Sequence, residues 1–515
     1  MTGVTRRQVL QGGSAILASG TVHWRLPAIA GAPAPEQLHL QFGADAARSM
    51  VVSWATAGSV RRPRVRFGPA HDMRDVTVDA RTLTYRDAAS RIEVQTHHAL
   101  LQGLSPDSDY VYEVTHDGAP PVRSTFRTAP AGRAKIRFTS FGDQTTGDPR
   151  DPISTPFASY VVDHVEAQEP LFHLLNGDLC YANFNGYTNG LNPFGPRPDI
   201  WQRFFLNNQR SASRRPWMPA AGNHENEAGN GPQGFASYAT RFWLPDNGSR
   251  DFRNYWYTFV AGSVQVISLQ NDDVCYQDGG NTYVHGYSHG LQREWLNATL
   301  AEARHNPQID WIVVCMHQLA VSSSESGNGC DLGIREQFLP LFDRYGVDLV
   351  LCGHDHDYER SFALRGVVKG SPTKRPAVAS HDTDSIGAAH GTVHLTLGGG
   401  GTALPSNAFS GSRPGGGQAK VITGKSTSET EPSDWSAVRD DSYPYGFAVF
   451  DVDPGQPGAE TTMTCNYYRT PPSSIAPAVL FDSFTLRRPR SDLSLVKGQD
   501  DHGGRYLLRS SRRTI

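Results

Sequence analysis

The feature that most constrains this chain is a series of apolar runs that each stop abruptly at a polar residue. "IRFTSFGD" ends at Asp143, "LFHLLNGD" at Asp178, "WMPAAGNHE" at Asn223 and His224, "DWIVVCMH" at His317, and "VDLVLCGHDH" at His354 and His356. Two further runs, "VQVISLQNDD" and "TVHLTLGGGG", have the same character, and helix-like segments such as "TPFASYVVDHVEA" and "LQREWLNATLAEARH" lie between them. Continuous apolar strands alternating with helices describe a buried α/β sheet. Ligands of such sheets sit just beyond the carboxyl ends of the strands, so these polar residues are predicted to converge.

Their chemistry narrows the reading. A single Gly-His-x-His is as easily a solvated loop as a binding site, because most histidines bind nothing. Five strand ends carrying carboxylates, imidazoles and an amide oxygen, with the phenol of Tyr181 three positions after Asp178, form the donor set of a two-metal site for hard or borderline ions. Other features weigh less. "GGGG" at Gly398 to Gly401 lacks the Lys and Ser/Thr of a phosphate loop and is predicted to be a tight turn. His285 and His289 are expected on a surface loop, Glu359 and Arg360 as an internal ion pair, and Thr402 to Tyr443 as a long loop or lid.

With 515 residues the chain has room for two or three domains. From Pro35 to Thr128 it reads as six or seven short alternating strands, among them "SMVVSWAT" and "DYVYEVTH", which indicates a β-sandwich with Trp54 in its core and Tyr110 at a corner. Net charge is −3 with 19% charged residues, so no basic field points to nucleic acid or an anionic membrane as partner. The first thirty residues resemble a twin-arginine export signal: Arg6 and Arg7 precede a mildly apolar run, and Ala28 to Ala30 supply small residues for cleavage. No other apolar run is long enough to span a bilayer, so a secreted or wall-associated protein without stable membrane insertion is expected. The six cysteines show no CxxC pair; Cys315 and Cys352 are expected in the core, while an oxidising destination would permit a disulfide such as Cys275 to Cys330.

The motifs "FGDQ", "GDLCY", "AGNHE", "VVCMH" and "GHDHDYERS", with the N-terminal strands, resemble the purple acid phosphatases of the calcineurin-like metallophosphoesterase superfamily over most of Pro35 to about Leu486. Most metallophosphoesterases carry Asp-x-His at the first strand end, where this chain has Asp143-Gln144-Thr145; the missing histidine and the tyrosine at 181 together single out the purple branch. Thr145 departs from the family's usual Gly. With the export signal over residues 1–30 and a C-terminal tail over 490–515, the resemblance implies a fibronectin-III-like sandwich over 31–130 and a four-layer α/β catalytic domain over 131–489, built as a β-sandwich flanked by helices. It implies Asp143, Tyr181 and His356 on one metal, Asn223, His317 and His354 on the other, Asp178 as the bridge, and Asp355 pointing elsewhere. Phenolate and carboxylates suit Fe(III), whereas the mainly neutral second set suits Fe(II), Zn(II) or Mn(II). The expected activity is that of an acid phosphatase, a metal-bound hydroxide attacking small phosphate monoesters to release inorganic phosphate while His224 contacts phosphate or protonates the leaving group. Two rivals stand beside it: an exported phosphodiesterase or alkaline phosphatase of the D type, and a surface-binding protein with a vestigial metal site.

Overall fold

The structure is a computed structural model that describes residues 32–70, 76–87, 90–183, 198–227, 234–277 and 283–492. The expected export signal, and the tail beyond Asp492, lie outside the described residues.

The N-terminal part is a sandwich of two four-stranded antiparallel sheets. Ser49–Thr56 is buried along its whole length and places Trp54 in the core, while the Tyr110 hydroxyl accepts from the Ser105 amide at 2.8 Å, the corner geometry that pins the chain between sheets. Eight strands are present among the described residues, against six or seven expected. Val76–Asp79 and Arg81–Arg86 are largely exposed, so neither carries the apolar alternation by which strands are recognised in a sequence.

The catalytic part is built on two seven-stranded mixed sheets that face one another. In one, Ile136–Phe141, Phe172–Asn176 and Trp217–Ala220 run parallel; in the other, Val264–Ser268, Trp311–Cys315, Leu349–Cys352 and Val393–Leu397 do so. Antiparallel strands, including Gly446–Asp453 and Tyr358–Ser361, complete the sheets. Helix Leu291–His305 packs on the second sheet, and Phe157–Ala167 and Pro198–Ala212 pack together beside the first. The parallel strands are uniformly buried, as their unbroken apolar sequences require. Asn176 binds the two sheets together: its Oδ1 accepts from Ser140 Oγ at 2.9 Å and Cys315 Sγ at 3.1 Å, and its Nδ2 donates to the Cys352 carbonyl at 3.3 Å. A buried amide thus aligns the strand ends from which the polar loops spring.

One continuous apolar core runs through sandwich and catalytic part. Polar contacts cross between them, among them Tyr112 OH to the Ser213 carbonyl at 2.6 Å and Leu38 N to Gln209 Oε1 at 2.9 Å.

Three expectations are corrected. All six cysteines are free and buried, so Cys275 and Cys330 are not bridged. Arg360 pairs with Asp482 at 2.6 Å and not with Glu359, which accepts instead from Ser323 N at 2.7 Å and Ser436 Oγ at 2.5 Å; adjacent strand residues face opposite ways and cannot pair. The segment after Thr402 is not a structureless lid, because Gln418–Gly424, Thr427–Pro432 and Ser436–Arg439 are strands.

Candidate metal centre

The predicted convergence occurs. Asp143, Asp178, Tyr181, Asn223, His317, His354 and His356 meet at the carboxyl ends of the parallel strands, most of them beside a cavity of about 210 Å³ that His224, Ile153 and Leu404 also line. The turns that deliver them are unusually tight. Asp143, Asp178, Tyr181 and His354 all have left-handed φ, between 50° and 73°, a conformation that costs non-glycine residues energy and clusters at functional sites. Glycines pave the floor because nothing larger fits: a Cβ on Gly222 would lie 2.3 Å from Asp178 Oδ1, one on Gly353 2.3 Å from Asp143 Oδ2, and one on Gly177 2.6 Å from His317 Nδ1. Gly398 belongs to the same floor, with Asp355 O 2.1 Å from such a Cβ, and Gly398 to Gly401 form an open bend in place of the expected tight turn. His354 and His356 lie past the end of Leu349–Cys352, so the loop after the strand carries them into the site. Asp355 between them points away and accepts from Asn328 N at 2.6 Å.

The donors fall into two groups. In one, Tyr181 OH lies 3.0 Å from both Asp143 Oδ1 and His356 Nε2. In the other, His317 Nε2 lies 3.0 Å from Asn223 Oδ1, 3.1 Å from Asp178 Oδ2 and 3.2 Å from His354 Nδ1. The far nitrogen of each histidine meets an oxygen that only accepts: His317 Nδ1 the Asn176 carbonyl at 2.7 Å, His354 Nε2 the Gln277 Oε1 at 2.8 Å, His356 Nδ1 the Leu404 carbonyl at 2.5 Å. In the neutral tautomer those nitrogens carry the protons, so three imidazole lone pairs point inward: that of His317 at carboxylate and amide oxygens, that of His356 at the Tyr181 hydroxyl and that of His354 at His317 Nε2. Converging lone pairs repel unless a cation lies among them, and this donor set therefore fits metal ions.

Electrostatics agree. Burial opposes charge on His317, yet the Asp178 and Asp143 carboxylates outweigh it and raise the ring to about 10, so without a metal the ring takes a second proton at Nε2, the position a cation would fill. Burial pushes His354 well below its usual range, leaving it in the neutral form that binds metal. Burial also lifts the Tyr181 phenol well above its usual range, with Asp143 and Asp178 adding to the effect, so only a strongly acidic cation would make it a phenolate.

The N-terminal residues 35–128 match the purple acid phosphatase N-terminal domain, and residues 154–358 match the calcineurin-like phosphoesterases. A purple acid phosphatase of Glycine max is 27% identical over 426 residues, covering 81% of this chain and 80% of the relative. The chain belongs to the purple acid phosphatase family. Its fold and family make it a metal-dependent phosphoesterase. An uncharacterized protein of Mycobacterium tuberculosis is 50% identical over 503 residues, covering 93% of this chain and 92% of its own. Among solved structures, a purple acid phosphatase from yellow lupin seeds aligns with a TM-score of 0.66 at 21% identity, over 90% of this chain and 76% of that one. The structure of PhoD aligns with a TM-score of 0.56 at 12% identity, over 90% of this chain and 92% of that one.

Against the family pattern, Gln144 holds the place between Asp143 and Thr145 and faces away from the donors, giving its amide to Ala158 O at 3.0 Å and Asn208 Oδ1 at 2.7 Å. Thr145 is buried at φ 79°, a conformation that suits the usual glycine; its amide donates to the Leu179 carbonyl at 3.0 Å and its hydroxyl to Ser154 Oγ at 3.1 Å. His224 packs against the Tyr181 ring, the ring centres 4.5 Å apart and the planes tilted by 43°, and its Nδ1 meets Asn183 Oδ1 at 2.7 Å. His285 and His289 are exposed, as expected, and His285 bonds the Cys275 carbonyl at 3.0 Å.

Several site residues were not singled out from the sequence. Glu225 is buried and accepts from the amides of Asp178 at 2.9 Å, Leu179 at 2.9 Å and Gly222 at 2.8 Å, joining two of the polar loops. Its place in "GNHE" was the available signal. Leu404 acts through its carbonyl, and a backbone oxygen leaves no mark in a sequence.

Proposed function

We propose that this chain is a binuclear acid phosphatase that hydrolyses small phosphate monoesters. The observation that carries the reading is the inward convergence of three imidazole nitrogens with carboxylate, phenol and amide oxygens in two adjoining groups. Asp143, Tyr181 and His356 would hold Fe(III); Asn223, His317 and His354 would hold Fe(II), Zn(II) or Mn(II); Asp178 would serve both. When bound, the ions supply Lewis acidity that polarises a phosphoryl oxygen and acidifies water. The chain's own residues do the rest. The Asn176, Leu404 and Gln277 oxygens hold the three ligand rings in one tautomer, and Glu225 holds the loops of Asp178 and Asn223 at a set spacing. Asn183 holds the Nδ1 proton of His224, so the second proton of the imidazolium form sits on Nε2, from which it can pass to a departing alkoxide.

The test uses His224→Ala with two substrates. An alkyl phosphate, whose alkoxide leaves poorly, should lose about 10²- to 10⁴-fold in kcat, and an activated aryl phosphate much less, with metal content unchanged. Equal losses on both would show that His224 only grips phosphate. The likeness of fold to PhoD keeps a phosphodiesterase reading in view, and pH profiles with matched monoester and diester substrates separate the two. Export through the twin-arginine signal belongs to the same proposal and is tested by following secretion of an Arg6→Lys/Arg7→Lys variant.

A further inference from the structure

His317 and His356 lean on backbone carbonyls, whereas His354 leans on a side chain, Gln277. The orientation of that side chain follows from what lies behind it. Asp331 is fully buried and firmly anchored: its Oδ2 accepts from Tyr276 N at 2.9 Å and Gln277 N at 3.2 Å, and its Oδ1 from Gly333 N at 2.8 Å, capping helix Leu332–Gln337. Gln277 Nε2 reaches Asp331 Oδ2 at 3.4 Å, and a carboxylate only accepts, so the amide nitrogen faces Asp331 and the amide oxygen faces His354. An oxygen at 2.8 Å requires the proton on His354 Nε2, which leaves the Nδ1 lone pair aimed at His317 Nε2, 3.2 Å away.

We propose that Gln277 is a positioning residue for the second metal, fixing the tautomer and ring angle of His354 through the chain Asp331, Gln277, His354. The inference rests on the reading of His354 as a ligand. Because the partner is a neutral amide, it orients the ring without adding negative charge to a site that already holds two carboxylates. Outer partners of this kind are worth about 10- to 100-fold in metal affinity. Gln277 is only partly buried, so replacing it spares the core.

The experiment titrates iron-loaded protein with Zn(II) against a competing chelator and, in parallel, with Co(II), whose visible spectrum reports its ligand geometry. Gln277→Met, similar in length but with only a weakly accepting thioether, should bind Zn(II) about 10- to 100-fold more weakly and show an altered Co(II) spectrum, with the Fe(III) band unchanged. Gln277→Glu, which keeps an oxygen facing His354 but loses the amide donated to Asp331, should restore part of the affinity. Wild-type affinity and Co(II) spectrum in Gln277→Met overturn the proposal, as does equal weakening of both metals in both variants, which marks a general structural role. Wild-type protein that never binds a second metal overturns the binuclear reading and this inference with it.

Discussion

At the scale of single residues, Tyr181 is the side chain on which the choice of metal turns. Its hydroxyl sits between Asp143 and His356, and burial there holds the phenol protonated unless a strongly acidic ion displaces the proton. Iron-loaded protein is therefore expected to be purple or pink from phenolate charge transfer, and Tyr181→Phe to lose the band while keeping iron, as absorption and metal analysis would show. A colourless iron-loaded wild type would falsify the ligand assignment. Thr145 makes a second test. A β-branched residue at φ 79° stores about 1–3 kcal/mol, whereas glycine adopts that conformation freely but loses more entropy on folding. Thr145→Gly also removes the bond to Ser154, so these terms nearly cancel: unchanged metal content and a stability change within about 1 kcal/mol are expected in denaturant titration. Residues like these were legible because side-chain type announces its chemistry. Leu404 and Asn176 were not, since each orients a histidine of the site through its main-chain oxygen.

At the scale of elements, the loops matter more than the strands that carry them. Glu225 is held by three amides of two loops, and burial beside Asp178 makes its charge costly unless those amides point at it. Glu225→Gln turns an NH₂ group toward at least one of those amides, leaving a buried donor unsatisfied at about 1–3 kcal/mol. Asp178 and Asn223 should then separate, so both metals weaken while far-ultraviolet circular dichroism stays native; full metal content in this variant would remove Glu225 from the account. Asp178→Asn should likewise weaken both metals together, whereas His354→Ala should chiefly empty the second site, and counting metals per chain distinguishes the two patterns. The parallel strands were readable as unbroken apolar runs. Val76–Asp79 and the strands after Gln418 were not, because half-exposed strands bury too little to leave a period-two pattern.

At the scale of the whole molecule, burial of neutral histidines away from the metal site couples stability to pH. His98, His173 and His394 are fully buried, and burial pushes each down to about 3. Unfolded, each would titrate near 6.5, so between pH 6.5 and about 3 the unfolded chain binds more protons and stability falls as pH falls. His98 lies at the junction of the two parts, its Nε2 on the Thr240 carbonyl at 3.0 Å. A melting temperature lower by about 5 °C or more at pH 4.5 than at pH 7 is expected, and a flat profile would show that these rings take up protons without unfolding.

The amino-acid sequence alone determined the β-sandwich followed by an α/β sheet pair, and it marked the seven donors, because apolar period and residue type are local properties. The tertiary structure decided how those donors face. Left-handed turns at Asp143, Asp178, Tyr181 and His354 depend on glycine floors supplied by distant strands, and the tautomers of three histidines depend on oxygens from 48 to 141 positions away along the chain, contacts that only the packed sheets bring together.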